Sequence, residues 1–171
     1  MSFLLIYLFY LYIDLVNEEK LLKFAIDYLS KYDSTKKNLL YVLKRKILRL
    51  KNTKEEKTII FSKLNSVFEI LEKNNFIDDN RYTFSKILSL SKQGKSKKYI
   101  SNYLNKKGVN KSDIQNNFDD FQKNNNDWEL NSANLFAKKK RLFDSELSYE
   151  KKLAKMARAG FSYDVCKKIL G

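Results

Sequence analysis

The chain punctuates itself twice in the same way. Around Gly108 it reads Leu104-Asn105-Lys106-Lys107-Gly108-Val109-Asn110, and around Gly160 it reads Met156-Ala157-Arg158-Ala159-Gly160-Phe161-Ser162. In both places an apolar residue stands one turn before the glycine, another follows it, and a residue of N-cap type comes next. The pattern predicts a helix that ends on a left-handed glycine, with Val109 or Phe161 folding back on Leu104 or Met156. A new helix then starts from Asn110 or Ser162, whose side chain can accept from the free N–H groups. The two glycines lie about 50 residues apart, a period typical of stacked modules. A weaker copy lies upstream, where Leu29-Ser30-Lys31, Thr35-Lys36-Lys37, Leu39 and Leu43 parallel Leu90-Ser91-Lys92, Ser96-Lys97-Lys98, Ile100 and Leu104. There Ile47 stands in the place of the glycine. Chance similarity in a lysine-rich chain competes with this reading, but the shared glycine turn argues against chance for the last two copies.

Between these marks the periodicity is helical. Leu21, Leu22, Ala25, Tyr28 and Leu29 form one stripe, and Leu39, Leu43, Ile47 and Leu50 the next. Ile60, Leu64, Val67, Phe68 and Leu71 form a third. Others run through Phe84, Ile87 and Leu88; Ile100, Tyr103 and Leu104; Ile114, Phe118 and Phe121; Ala133, Phe136 and Ala137; Tyr149, Leu153, Met156 and Ala157; and Phe161, Val165, Cys166 and Ile169. There is no Pro and there are four Gly, which suits helices better than hairpins. No predicted helix is long enough to hold alone, so each must pack on neighbours. The fold class expected is all-α: tandem three-helix repeats over residues 20–72, 78–122 and 127–171, forming an elongated, curved array. Residues 1–19 are an apolar N-terminal extension.

That extension contains Phe3 to Ile13, an apolar run about half the length of a membrane-spanning helix. It lacks the basic start and small-residue cleavage site of a secretory signal. An extra helix, a start codon placed too early and a membrane anchor are the three readings it allows.

The formal net charge is +14 over 171 residues. Such an excess points to a polyanionic partner: nucleic acid first, then an anionic membrane surface or an acidic protein groove. A bias toward Lys, Asn and Ile, as in an AT-rich genome, is the bland alternative. There is no His and only one Cys, so imidazole bases, His-Cys metal sites and disulfide frameworks are excluded. A reducing, cytoplasmic compartment is expected. Asp78-Asp79 is the one suggestive carboxylate pair. It reads as capping a helix that starts near Asn80, where carboxylates suit the positive helix end. Cys166 reads as a buried thiol, and Trp128 as a packing anchor more than a base-stacking platform. No nucleophile–base pair, phosphate loop or metal cluster is visible. No catalytic residue, cofactor or metal is expected, and the chain is read as a binding protein, not an enzyme.

The candidate contacts are therefore cations. Lys92, Lys95, Lys97 and Lys98 sit at and before a predicted helix start. Lys106 and Lys107 precede Gly108. Lys138, Lys139, Lys140 and Arg141 end a helix, and Lys151, Lys152, Lys155 and Arg158 line the next. Lysines near a helix C-terminus suit the dipole and lysines elsewhere often only solvate a face. Lys97 and Lys98 fit that explanation least, because cations at a helix N-terminus oppose the dipole. A bound phosphate, a carboxylate ligand or a nearby acidic residue would offset this. No motif for base-specific recognition stands out.

Taken in order, several segments resemble the RecX family. Phe76-Ile77-Asp78-Asp79-Asn80-Arg81-Tyr82 is similar to its hydrophobic, Asp-Asp, x, Arg-aromatic signature. Lys95-Ser96, Ile100, Leu104 and Lys106-Lys107-Gly108-Val109 follow, then Asp127-Trp128, Ala133 and Ala137-Lys138-Lys139. Last, Met156 to Tyr163 resembles the family's closing Leu-x-x-Arg-Gly-Phe segment. Residues 76–170 carry the likeness well and 20–50 loosely. Ala159 stands where the family often has Arg, and Tyr82-Thr83 where it often has Phe-Ala. The resemblance implies a regulator of the RecA recombinase that lodges in the groove of the RecA–DNA filament. It implies inhibition of ATPase, strand exchange and coprotease activity, and in some members direct binding of single- or double-stranded DNA. A monomer without stable membrane association is expected.

Overall fold

The structure, a computed structural model, describes residues 18–171. The run Phe3 to Ile13 lies outside them. Among the described residues every regular element is a helix. They are α1 (residues 18–29), α2 (Lys36–Leu48), α3 (Lys54–Ser62), α4 (Leu64–Lys73), α5 (Asp79–Ser91), α6 (Lys97–Lys106), α7 (Lys111–Lys123), α8 (Trp128–Lys139), α9 (Tyr149–Arg158) and α10 (Tyr163–Leu170). The all-α reading holds. The chain divides into two compact units between Asp79 and Asn80.

In the first unit the stripes at 21–29, 39–50 and 60–71 turn inward together. Leu21, Ala25, Leu39, Leu43, Ile47, Ile60, Leu64, Val67, Phe68, Leu71 and Ile77 are buried in one core. The stripe from Ile60 to Leu71, continuous in the sequence, is carried by two helices. Lys63 closes α3 and opens α4 while keeping right-handed helical angles (φ −82°, ψ −7°). Its N–H turns to the carbonyl of Ile60, a tighter turn than the α-helix makes. The apolar face carries across because the backbone never leaves the helical region. Thr53 and Glu56 form a reciprocal capping box at the start of α3.

The second unit holds two cores. One gathers Tyr82, Ile87, Ile100, Leu104, Val109, Ile114, Phe118, Phe121 and Trp128. The other gathers Ala133, Ala137, Leu142, Met156, Phe161 and Cys166, where α10 packs on both α8 and α9. Phe84 departs from its stripe: it is exposed, meeting the edge of the core through Phe121 at 5.6 Å, while Tyr82 and Thr83 are buried in its stead.

The two glycine turns form as the sequence indicates. Gly108 and Gly160 take φ of 92° and 94°. The N–H of Val109 closes onto the carbonyl of Leu104 at 3.1 Å, and that of Phe161 onto Met156 at 3.3 Å. Three more helices end the same way. Asn75, Gly94 and Arg141 have φ of 56°, 83° and 51°. The matching closures are Phe76 to Leu71, Lys95 to Leu90 and Leu142 to Ala137. Of the two expected N-caps, Ser162 accepts from the N–H of Val165, but Asn110 makes no side-chain cap. Its amide instead donates to the Asp113 carboxylate at 3.3 Å.

Candidate cationic interface

The candidate surface begins with a serine. Ser96 is fully buried and N-caps α6, its Oγ accepting from the N–H of Tyr99 at 3.2 Å. The same hydroxyl donates to the carbonyl of Ala159 at 2.7 Å, in the turn between α9 and α10. One side chain thus satisfies an orphan donor of α6 and an orphan acceptor at the end of α9. Lys97, the first residue of α6, has its N–H filled from elsewhere: the Glu129 carboxylate, in the first turn of α8, accepts it at 2.9 Å. The Lys97 ammonium lies 5.1 Å above the Phe118 ring, which stacks in turn on Trp128 (5.4 Å, 16°).

This answers why cations stand at that helix start. Of the three ways to offset the unfavourable dipole, the protein uses its own acidic residue. Lys97 is built into the packing, and its position needs no bound phosphate.

A matching device occurs at the start of α2. Thr35 caps α2 by accepting from the N–H of Asn38, and the N–H of Lys36 donates to the Asp79 carboxylate at 2.7 Å. The Lys36 ammonium pairs with Glu72 at 2.7 Å. Asp79 sits in the first turn of α5, at the positive helix end where the sequence puts it, and also reaches back to a helix start 43 residues earlier. Burial raises the Asp79 pKa above its ordinary value. The hydrogen bond from Lys36 and that residue's charge oppose the rise, and Asp78 and Glu72 add to it.

The α5–α6 turn also packs against α8. Ser132 Oγ donates to the carbonyl of Lys95 at 2.8 Å, and Lys139 Nζ donates to the carbonyl of Gln93 at 3.2 Å. A Cβ on Gly94 would stand 3.1 Å from the Phe136 nitrogen. On the other side, Lys98 lies against Gly160, whose Cβ, if present, would be 3.2 Å from that of Lys98. Lys92, Lys95, Lys97, Lys98 and Lys139 therefore meet around one turn, with Arg158 beside Gly160 and Lys138, Lys140 and Arg141 continuing from Lys139. The rest are elsewhere. Lys106 and Lys107 sit at the far end of α6, with Lys107 Nζ 6.0 Å over the Tyr103 ring. Lys151 and Lys152 lie in the first turn of α9, about 10 Å along its axis from Arg158 at 1.5 Å per residue, and Lys155 lies between.

Of the residues that position this surface, Ser96 belongs to the repeated segment before a predicted helix start, but Gly94, Glu129 and Ser132 carry no local signal that singles them out in the sequence. The glycine in Lys92-Gln93-Gly94-Lys95 lacks the apolar follower that marks Gly108 and Gly160. The acidic caps act across 32 and 43 residues, where no local pattern could show them. Glu129→Ala is expected to cost about 1 kcal/mol, the usual loss on removing a helix cap. Glu129→Gln, which keeps an acceptor, should cost less. Urea titration of both variants checks this, and equal losses would mean that charge, not the hydrogen bond, holds Lys97.

Trp128 is buried as a packing anchor, and Cys166 is buried with its thiol pushed up by that burial. Among the described residues no group of three or more acidic or sulfur ligands is placed to hold a metal ion. None of the helices among them is long and apolar enough to cross a membrane. What the geometry offers is a rigid, cation-bearing turn.

No family model matches the chain. It is 30% identical over 154 residues to the regulatory protein RecX of Myxococcus xanthus (strain DK1622), covering 85% of this chain and 81% of that protein. The crystal structure of RecX from Lactobacillus salivarius superposes with a TM-score of 0.67 at 23% identity, over 90% of this chain and 94% of the other. Another crystal structure of regulatory protein RecX gives 0.64 at 20%, over 90% and 71%. At those identities the two structures speak for the fold.

Proposed function

The chain belongs to the RecX family of regulatory proteins, and from that premise we propose that it limits the ATPase, strand-exchange and coprotease activities of the RecA recombinase by binding in the groove of the RecA–DNA filament. The observation that carries the reading is the cationic turn between α5 and α6, fixed by Ser96 and Glu129 to α9 and α8. A surface of like charges held this firmly suits a polyanionic assembly. Residues 20–72, 78–122 and 127–171 are read as three repeats. The shared amide caps at Lys36 and Lys97 and the shared turns at Gly108 and Gly160 support this. Weak contacts spread over such an array add through effective concentration. We further propose a monomer acting in the cytoplasm as a binding protein without catalysis of its own.

The test is a titration of DNA-dependent ATP hydrolysis by the cognate RecA. Wild type should suppress it below one protein per recombinase subunit. Lys97 is committed to packing, so the informative variant is Lys92→Glu/Lys98→Glu, both exposed. We expect at least a tenfold rise in the concentration giving half inhibition, steeper with added salt. Unchanged ATPase at saturating wild-type protein would sink the regulator reading. The charge itself supports a second reading, a general basic DNA-binding protein. Equal inhibition of an unrelated recombinase, fully explained by competition for DNA, would favour it.

A further inference from the structure

Between α7 and α8 the chain runs through Asn124-Asn125-Asn126-Asp127, a polar link whose composition alone marks only a turn. In the folded second unit this link lines, together with α5 and α8, a hollow of about 480 Å³. That lies inside the range of roughly 300–1,000 Å³ common to small-ligand sites. Its charge sets it apart. In a chain of net charge +14, the hollow is lined by one cation, Lys92, and one carboxylate, Asp127. Three amides, Asn125, Asn126 and Asn131, line it as well. The Asn125 nitrogen is spent on the carbonyl of Phe121 at 3.0 Å, which leaves its oxygen. Among the described residues the side-chain amides of Asn126 and Asn131 take no hydrogen bond within the chain. All three asparagines are exposed, so solvent satisfies them until a ligand with both donors and acceptors replaces it. The hydroxyls of Ser91 and Ser132 are already committed, to the carbonyls of Leu88 and Lys95.

The apolar lining is of two kinds. Trp128 and Phe121 are 7% and 2% exposed and pack on each other. With so little surface, neither offers a face for a base to stack on. Leu88 and Leu135 are half-buried and present aliphatic surface. A hollow with balanced charge, amides and aliphatic contact suits a phosphate chain poorly. It suits a peptide backbone well, because every residue of a peptide brings one N–H donor and one C=O acceptor. We propose that the hollow binds an extended peptide segment of a protein partner, its backbone held by Asn125, Asn126 and Asn131 and an aliphatic side chain resting on Leu88 and Leu135. Lys92 belongs both to this hollow and to the cationic turn, and Ser132 ties α8 to that turn. A segment bound here therefore lies at the edge of the cationic surface.

The experiment is a titration of the full chain with capped, uncharged tripeptides, read by the emission of Trp128, the one tryptophan of the chain and part of the lining. N-acetyl-alanyl-leucyl-alaninamide should give a saturable shift. N-acetyl-trialaninamide should bind about fivefold more weakly or worse, since it lacks the leucine's apolar burial. Asn126→Ala/Asn131→Ala should weaken the leucyl peptide about tenfold through the lost hydrogen bonds. Both residues are exposed, so its urea midpoint should stay close to that of wild type. Added salt should leave peptide affinity unchanged, because a neutral ligand releases no counterions. Equal binding of the two peptides, or no saturation with either into tens of millimolar, would overturn the proposal. So would thymidine monophosphate displacing the leucyl peptide with a steep salt dependence, which would assign the hollow to a nucleotide. Emission that shifts with protein concentration alone would overturn it in favour of a second copy of the chain. Inhibition of RecA is read separately, so the peptide site and the regulator reading fail independently.

Discussion

Gly160→Ala is expected to cost about 3 kcal/mol and to loosen the second unit of the protein. Two penalties combine. The residue sits at φ 94°, where an L side chain meets its own carbonyl and loses about 1–2 kcal/mol. The added Cβ would also stand 2.6 Å from Ser96 Oγ. In most settings a hydroxyl could rotate away. Here it is buried and holds two bonds, accepting from Tyr99 and donating to Ala159. Turning it would leave a half-buried carbonyl and a helix-start N–H without their partner, at about 1–3 kcal/mol. Ser96→Ala in the same background is the informative partner. It removes the clash along with the bonds, so the two substitutions together should cost less than their sum. Thermal melts of the four proteins measure this, and strict additivity would mean that Gly160 is fixed by its backbone angle alone. Because the same packing seats Lys98, Gly160→Ala should also weaken inhibition of RecA in proportion to the loss of order, not of charge.

The two glycine turns are legible because each is local: an apolar residue, a glycine and another apolar residue within one stretch of chain. The remaining left-handed ends show where that legibility stops. Gly94 is followed by Lys95, so no apolar residue announces the fold-back. Asn75 and Arg141 take the same conformation without a glycine, held by closures to Leu71 and Ala137 that depend on what packs around them. The stripe from Ile60 to Leu71 is visible but not its interruption at Lys63, since a residue that stays helical leaves no mark in the periodicity. The candidate cations are readable as a set, yet sequence alone cannot sort them. Lys97 becomes part of a packed column only because Phe118, Trp128 and Glu129 arrive from other helices. The cations of α2 stay inconspicuous because Lys36 to Lys51 looks like a solvated helix face. Only the approach of α1, bringing Phe24 under Lys46, sets Arg45, Lys46 and Arg49 around one hollow.

Trp128→Ala should be the most damaging single truncation in the second unit, at about 3–5 kcal/mol for an aromatic removed from a core. Its ring is buried, stacks on Phe118 and meets Phe121 edge-on at 5.8 Å, and Phe84 reaches Phe121 in turn. Pairs of this geometry add about 0.5–1.5 kcal/mol to the area they bury. Removal leaves a hole between α7 and the first turn of α8. That turn carries Glu129, so the loss should spread to the Lys97 amide and the start of α6. Trp128→Phe keeps most of the ring packing and should retain more than half of the stability difference. The chain has one Trp, so in the wild type its emission should shift red as the second unit unfolds in urea. Circular dichroism, which also counts the helices of the first unit, follows all of the chain. If the two units melt independently, the transitions will part, and Trp128→Ala will move only the one that the wild-type fluorescence follows. A circular dichroism transition shifted as a whole by Trp128→Ala would show instead that the units unfold as one.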